Sequence, residues 1–302
     1  MTRASSNHAQ PQVSELLTEA ARAISRSRAI DSWHPSLSRY DAEELMSEVI
    51  DESITPRVRR SALPPAQRRR FARMVARRIA GEPVARIVGR FPFRGLDLLV
   101  RDGVFVPRTS SELLAGEAVS ALRRRRSVRN AVDVATGAGP MALAVAHEVK
   151  RSEVWGLDIS PSAIKLARLN ARRLGISNAR FRVSDLLDSL PRSLRSQVDV
   201  ITIHPPYVAR GELRTLPREI RDFEPLQSLT DNSDDGLHLV RRLADESHQW
   251  LRPGGQLMVE IGTYLARSAA ATLRRAGLAD VVSRHDSLGV TRVISGRRPE
   301  ER

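Results

Sequence analysis

One run of residues, Val198-Asp199-Val200-Ile201-Thr202-Ile203-His204-Pro205-Pro206-Tyr207, joins an apolar, strand-like segment to two prolines and an aromatic ring. Proline has no backbone N–H and a fixed φ, so the strand must end at Pro205, and its last carbonyls are left to accept hydrogen bonds from another molecule. Tyr207 is placed to stack on a flat group held there. A neutral imidazole at His204 brings one acceptor and one donor nitrogen, whereas a protonated one brings two donors and no acceptor. The run reads as an active-site lip. His204, Pro205 and Tyr207 are the candidate catalytic residues, and together with the turn-fixing Pro206 they are candidate substrate contacts.

A second cluster precedes it. Asp133-Val134-Ala135-Thr136-Gly137-Ala138-Gly139 closes a short apolar strand and opens a helix through Ala142, Ala144 and Val145, with small residues that let a ligand approach the backbone closely. Asp158 ends the next strand, where a carboxylate can accept both hydroxyls of a ribose. Ser160-Pro161 then reads as N-cap and first helical position, and Gly175 as the residue just past the helix end. Asp185, followed by Leu186, ends the third strand, placed to bond an adenine amino group or to support its pocket. The candidate cofactor-binding residues are Asp133, Ala135, Thr136, Gly137, Ala138, Gly139, Asp158, Asp185, Leu186 and His204.

These residues need a scaffold that brings strand ends together. From Arg129 onward short apolar runs alternate with helical stretches, with strands expected near Ala131 to Ala135, Val154 to Leu157, Arg180 to Val183, Val198 to Ile203, Gln256 to Ile261, Ala279 to Ser283 and Val290 to Ile294. Such alternation predicts an α/β fold with a doubly wound parallel sheet that binds ligands at the carboxyl ends of its strands. Upstream, residues 1–12 are expected to be a disordered tail and 13–80 a small helical domain interrupted at Pro35, Pro56 and Pro64-Pro65. Residues 81–107, rich in β-branched and aromatic residues between glycines, are expected to form a β-hairpin linker, leaving 108–302 as the ligand-binding domain. Pro65 to Ala80 reads as an amphipathic helix with Phe71, Met74, Val75 and Ile79 on one side and Arg70, Arg73 and Arg77 on another, either a solvated face or a contact for an acidic partner.

At 302 residues the chain can bury a large core. It has no cysteine, which excludes disulfides, thiolate catalysis and zinc–thiolate sites, and its seven histidines show no paired metal-ligand spacing, so no metal is expected. The polar start and the lack of a long apolar run lead to the expectation of a cytoplasmic protein with no membrane span. Net charge is +14, which gives non-specific affinity for polyanions, nucleic acid included. All but two of the 49 basic residues, Lys150 and Lys165, are arginine, a skew that codon bias alone can produce.

The ordered series of glycine-bearing loop, strand-end acids and Pro-Pro-Tyr lip resembles S-adenosylmethionine-dependent methyltransferases. From about Gly81 almost to the C-terminus it resembles the release-factor glutamine N5-methyltransferases in particular. Gly81-Glu82-Pro83-Val84, Phe105-Val106-Pro107-Arg108-Thr109 with Glu112-Leu113-Leu114, Ile220 to Leu226 around Phe223-Glu224-Pro225, Asp235-Gly236-Leu237, Arg252-Pro253-Gly254-Gly255 and Glu260-Ile261-Gly262 carry that likeness. It implies a Rossmann-like class I methyltransferase domain with a seven-stranded, mostly parallel sheet, S-adenosyl-L-methionine as cofactor and a peptide chain release factor as partner. It also implies that the carbonyl of Pro205 and the residue before it accept the two N–H bonds of a substrate amide while Tyr207 packs on the amide plane.

The chain departs from the family's Asn-Pro-Pro-Tyr signature at its first position, where His204 stands, and from its loop at Ala135, in place of the usual first glycine. A positive φ at Ala135 would cost on the order of 1 kcal/mol. Three readings of His204 stand open: a tolerated replacement, a base for a different nucleophile such as a small metabolite, or the mark of a non-catalytic binding protein. An RNA or DNA base N-methyltransferase is a further alternative, since a similar lip binds exocyclic amines of flipped bases.

Overall fold

The computed structural model describes residues 11–30, 35–124 and 129–300, arranged as two compact units. The expected tail, 1–12, lies outside the described residues except for Pro11 and Gln12. Gln12 forms a capping box with Glu15 at the start of the helix Val13–Ser25.

The first unit holds the described residues up to Gly89 together with Leu216–Phe223. Its helices are Val13–Ser25, Pro35–Ile50, Pro56–Arg59, Pro65–Ile79, Val84–Val88 and the short Arg218–Arg221, and three of the six begin on a proline at the position where a missing N–H costs nothing. Val13, Leu17, Ala20 and Ile24 recur at helical spacing and are all buried, meeting Leu45, Met46, Phe71 and Met74 in one core. On Pro65–Ile79 the expected basic side is largely paired within the unit: Arg70 reaches Glu48 at 2.6 Å and Arg77 reaches Glu82 at 2.7 Å. The adjacent Arg78, which the sequence pattern did not single out, is buried and bridges Asp41 (2.7 Å) and Glu219 (2.8 Å). That bridge, with the Arg86 guanidinium on the Phe223 carbonyl, ties the segment Leu216–Phe223 into this unit.

The stretch expected as a hairpin linker begins differently. Val84–Val88 is one turn of helix, entered from Pro83 and ended by Gly89 at φ 80°, because Val84 and Ile87 bury in the helical core instead of pairing as a strand. The hairpin follows, in the second unit: β1 (Arg90–Phe93) pairs antiparallel with β2 (Leu96–Leu99) across Arg94 and Gly95, both at positive φ, the two-residue turn that matches strand twist. Arg94 pays for that conformation with three contacts: its N–H donates to Glu112 at 2.9 Å, and its guanidinium meets the Glu112 carbonyl and Glu148.

The main sheet of this unit contains β3 (Arg129–Val134), β4 (Ser152–Asp158), β5 (Ala179–Val183), β6 (Val198–Ile203), β7 (Leu251–Glu260), β8 (Ala279–His285) and β9 (Thr291–Arg297), in the spatial order β5-β4-β3-β6-β7-β9-β8. Strands β5 to β7 in that order are parallel, and β9 and β8 run antiparallel at the far edge. Alternate residues of β3, β4, β6, β7 and β9 feed two cores. Ala131, Val154 and Val200 pack with the helices Ser111–Arg123, Pro140–Glu148 and Pro161–Arg173, while Val132, Trp155 and Ile201 pack with His238–Trp250 and Ala266–Arg275. The chain leaves β3 outward to β4 and β5 and returns on the other side at β6. The carboxyl ends of β3 and β6 therefore flank the switch point where such sheets hold ligands. Among the described residues, no helix is long and apolar enough to cross a membrane, and no group of acidic and histidine side chains is arranged to hold a metal ion.

Candidate active site

A cleft opens at the carboxyl ends of β3, β4, β5 and β6. Of the residues singled out from the sequence, Asp133, Ala135, Thr136, Gly137, Ala138, Asp158, Asp185, Leu186, His204, Pro205 and Pro206 all line it. Gly139 and Tyr207 do not. Gly139 sits behind the loop at φ 86°, where a Cβ would press on Ala167, Leu143 and Phe181 at 3.2 Å each, so its role is to let the helix Pro140–Glu148 pack closely. Tyr207 lies alongside the His204 ring, near-parallel at 25° with centroids 5.8 Å apart.

The loop after β3 is built around a buried acid. Asp133, only 4 % exposed, accepts the hydroxyls of Thr136 at 2.6 Å and Thr202 at 2.8 Å. Burial raises its pKa to about 7 against the opposing effect of those two hydrogen bonds, and neighbouring Asp158 adds to the rise. Ala135 has φ 55°, so the alternative with a conformational cost is the one realised. Asp158 accepts the N–H of Gly137 on one oxygen and that of Ser160 on the other, both at 2.8 Å, which fixes its carboxylate at the strand end. Burial raises its pKa as well, and these two bonds oppose the rise. Ser160 caps the helix Pro161–Arg173 through the N–H of Ala163, with Pro161 at the first position. At the end of β5, both oxygens of Asp185 are held by the forked guanidinium of Arg242, at 3.2 and 3.1 Å.

The lip is pinned from behind. Tyr207 bridges to Thr230, the Val208 N–H donates to the Leu229 carbonyl at 2.9 Å, and Gly236 at φ 67° backs onto Tyr207, where any Cβ would collide with the Tyr207 carbonyl. That contact gives Asp235-Gly236-Leu237 its physical meaning. Glu224 of the Phe-Glu-Pro segment is buried and accepts Arg108 at 2.6 Å and the Val106 N–H at 3.2 Å, so two motifs far apart in the chain lock together beside the cleft. The Arg108 guanidinium also lies over Phe105, 4.4 Å from its centroid, and Phe105 meets the His204 ring edge-on at 5.9 Å.

His204 is the focus of this shell. Its Nδ1 lies 3.4 Å from the Ser111 hydroxyl and 3.6 Å from Oε2 of Glu260, which ends β7. Burial lowers its pKa below 6.5, the Glu260 carboxylate opposes that, and the Arg108 cation reinforces it. The ring is therefore neutral at neutral pH and offers one acceptor. Sequence reasoning had no reason to place Ser111 or Glu260 at the site. Glu260 was visible only as part of Glu260-Ile261-Gly262, and its position next to His204 follows from the β6–β7 pairing.

Residues 126–269 match a methyltransferase domain and residues 15–89 match the PrmC N-terminal domain. The release factor glutamine methyltransferase of Bordetella pertussis is 35% identical over 264 residues, covering 87% of this chain and 96% of that protein. This chain belongs to the release factor glutamine methyltransferases. The member from Bradyrhizobium diazoefficiens is 32% identical over 297 residues, 95% of this chain and 98% of that protein, and the one from Streptomyces coelicolor 39% identical over 247 residues, 81% and 84%. As a release factor glutamine methyltransferase it is an S-adenosylmethionine-dependent enzyme with the Rossmann-like class I fold that the motifs implied.

Proposed function

We propose that the chain transfers a methyl group from S-adenosylmethionine to the side-chain amide nitrogen of a glutamine in a peptide chain release factor, acting in the cytoplasm. The observation that carries this reading is the lip itself, with the carbonyl of Pro205 and the neutral ring of His204 at the edge of a cleft walled by Asp133, Asp158 and Asp185.

The residues present fit the cofactor. Each oxygen of Asp158 accepts one backbone N–H and retains a lone pair, so the carboxylate can take one ribose hydroxyl on each side. Asp185, already committed to Arg242, supports the adenine pocket with its neighbour Leu186. The small residues Ala135, Gly137 and Ala138 leave room for the backbone of the loop to meet the ligand. When bound, S-adenosylmethionine supplies a methyl group activated by an adjacent sulfonium.

What the protein must add is nucleophilicity and aim. An amide nitrogen is a poor nucleophile because its lone pair is shared with the carbonyl. Two acceptors drawing on its N–H bonds, the Pro205 carbonyl and an imidazole nitrogen of His204, return electron density to nitrogen and fix its direction. Tyr207 packs against the amide plane, and the helical residues 13–80 dock the acceptor protein. The net charge of +14 does not by itself single out nucleic acid, and Arg70 and Arg77 are already paired.

Labelled-methyl transfer tests the assignment. Label is expected in a release factor and is expected to vanish when its acceptor glutamine is replaced. Label in the nucleic-acid or small-molecule fraction of an extract, with none in protein, refutes it.

A further inference from the structure

Glu260 presents an unusual combination. It is 3 % exposed, its Oε1 accepts the Ser110 hydroxyl at 2.9 Å, and no hydrogen bond reaches its Oε2. A buried carboxylate oxygen without a donor is costly unless something compensates it, and such an atom calls for a physical account. Nδ1 of His204 lies 3.6 Å from that oxygen. The contact is too long for a hydrogen bond and short enough for a strong electrostatic bias.

From this geometry we infer that Glu260 is a positioning residue that fixes His204 as the Nδ1–H tautomer, leaving Nε2 as the acceptor for a substrate N–H. A lone pair on Nδ1 would face a carboxylate oxygen, which repels it, whereas a proton on Nδ1 faces an acceptor. The second neighbour of Nδ1, the Ser111 hydroxyl at 3.4 Å, can accept from the same N–H, so nothing on that side demands the other tautomer. Nε2 has no protein partner among the described residues, and His204 lines the cleft. The ring is further held by Phe105 at its edge and Tyr207 along its face.

The inference rests on the proposed amide acceptor and explains how an imidazole takes a place where the family's signature has an amide side chain. The Asn carbonyl of that signature is an acceptor in only one amide orientation, and the imidazole is one in only one tautomer. Glu260 selects it. During transfer the carbon–sulfur bond breaks with its electron pair staying on sulfur, the amide nitrogen forms the new bond to carbon, and one N–H proton passes to Nε2. The imidazolium so formed keeps Nδ1–H against Glu260, whose negative charge stabilises it. The charged or titratable groups facing the ring are Glu260 from β7, Arg108 from the segment ahead of the helix Ser111–Arg123, and Tyr207 from the lip. Of these Glu260 favours the cation and Arg108 opposes it.

The decisive measurement needs neither cofactor nor acceptor. Nitrogen-15 NMR of the full chain labelled at histidine, with His204→Asn used to assign the signal, reports which ring nitrogen carries the proton. The native protein is expected to show His204 protonated at Nδ1 with Nε2 bare. Glu260→Gln, which keeps the shape and the Ser110 contact, is expected to mix the tautomers and to move the ring's titration to lower pH. In transfer assays Glu260→Gln is expected to lower kcat on the order of a hundredfold, with KM little changed. That loss is expected to shrink at least about tenfold in a His204→Asn background, since the asparagine needs no tautomer set. A native ring protonated at Nε2 overturns the inference, as does a Glu260→Gln ring with unchanged tautomer and titration. Should Glu260→Gln fail to fold, the native tautomer alone decides. A native Nδ1–H ring that Glu260→Gln disturbs, in a protein that transfers no methyl to glutamine, supports the role of Glu260 and refutes the proposed acceptor instead.

Discussion

Replacing Asp133 by Asn isolates one buried titration in the second unit. The carboxyl is enclosed at the end of β3, and its pKa rises from 3.8 to about 7. Each tenfold change in proton affinity corresponds to about 1.36 kcal/mol, so the folded state binds this proton about 4 kcal/mol more tightly than the unfolded chain does. A raised carboxyl contributes its stability in full below 3.8 and loses it progressively as pH climbs to about 7, because the folded protein must then hold a charge that burial disfavours. Asn mimics the protonated form, and the hydroxyls of Thr136 and Thr202 can turn to serve either end of the amide. Urea unfolding of both proteins at pH values from 4 to 8 measures the difference directly. The native protein is expected to lose about 4 kcal/mol relative to Asp133→Asn across that range, and the two are expected to run parallel above about pH 8. Parallel curves throughout, or a native protein that gains on the variant as pH rises, refute the account of Asp133 as a buried acid held neutral below pH 7.

Asp158→Ala removes an acceptor for the N–H groups of Gly137 and Ser160 as well as the proposed ribose contacts, and calorimetry is expected to show S-adenosylmethionine affinity down by at least about 2 kcal/mol, whereas unchanged affinity removes Asp158 from the cofactor site. Ala135→Gly relieves the left-handed backbone at φ 55°, and thermal or urea unfolding is expected to show a gain of up to about 1 kcal/mol, part of which the greater freedom of the unfolded glycine offsets. Arg78→Ala leaves Asp41 and Glu219 without their shared cation, so a loss of about 3–5 kcal/mol is expected from the first unit, with hydrogen exchange rising first in Leu216–Phe223. His204→Asn is expected to keep transfer measurable while abolishing the fall in kcat at low pH, because the asparagine acceptor does not titrate as the imidazole does below 6.5.

The sequence by itself determined what depends on local chemistry. Short apolar runs between helical stretches placed the strands of the main sheet, and β6 ends just ahead of Pro205, where the missing N–H required it to stop. Ser160-Pro161 announced a helix start because capping is a property of adjacent residues. The ordered motifs were enough to reach the family. Tertiary structure decided what depends on residues distant in the chain. Val84–Val88 became helical because a core made by other helices offered burial that pairing as a strand did not. Arg78, indistinguishable in type from Arg70, Arg73 and Arg77, became the buried one because Asp41 and Glu219, far off in sequence, meet it. The sign of φ at Ala135, which separates a free substitution from one with a cost, is a backbone angle imposed by the fold of the whole loop. The same holds for His204. Its identity and its departure from the signature were legible, but the state of its ring is set by Glu260 on the neighbouring strand and Ser111 on a helix. Electrostatic bias depends on distances through space, which a linear sequence does not contain.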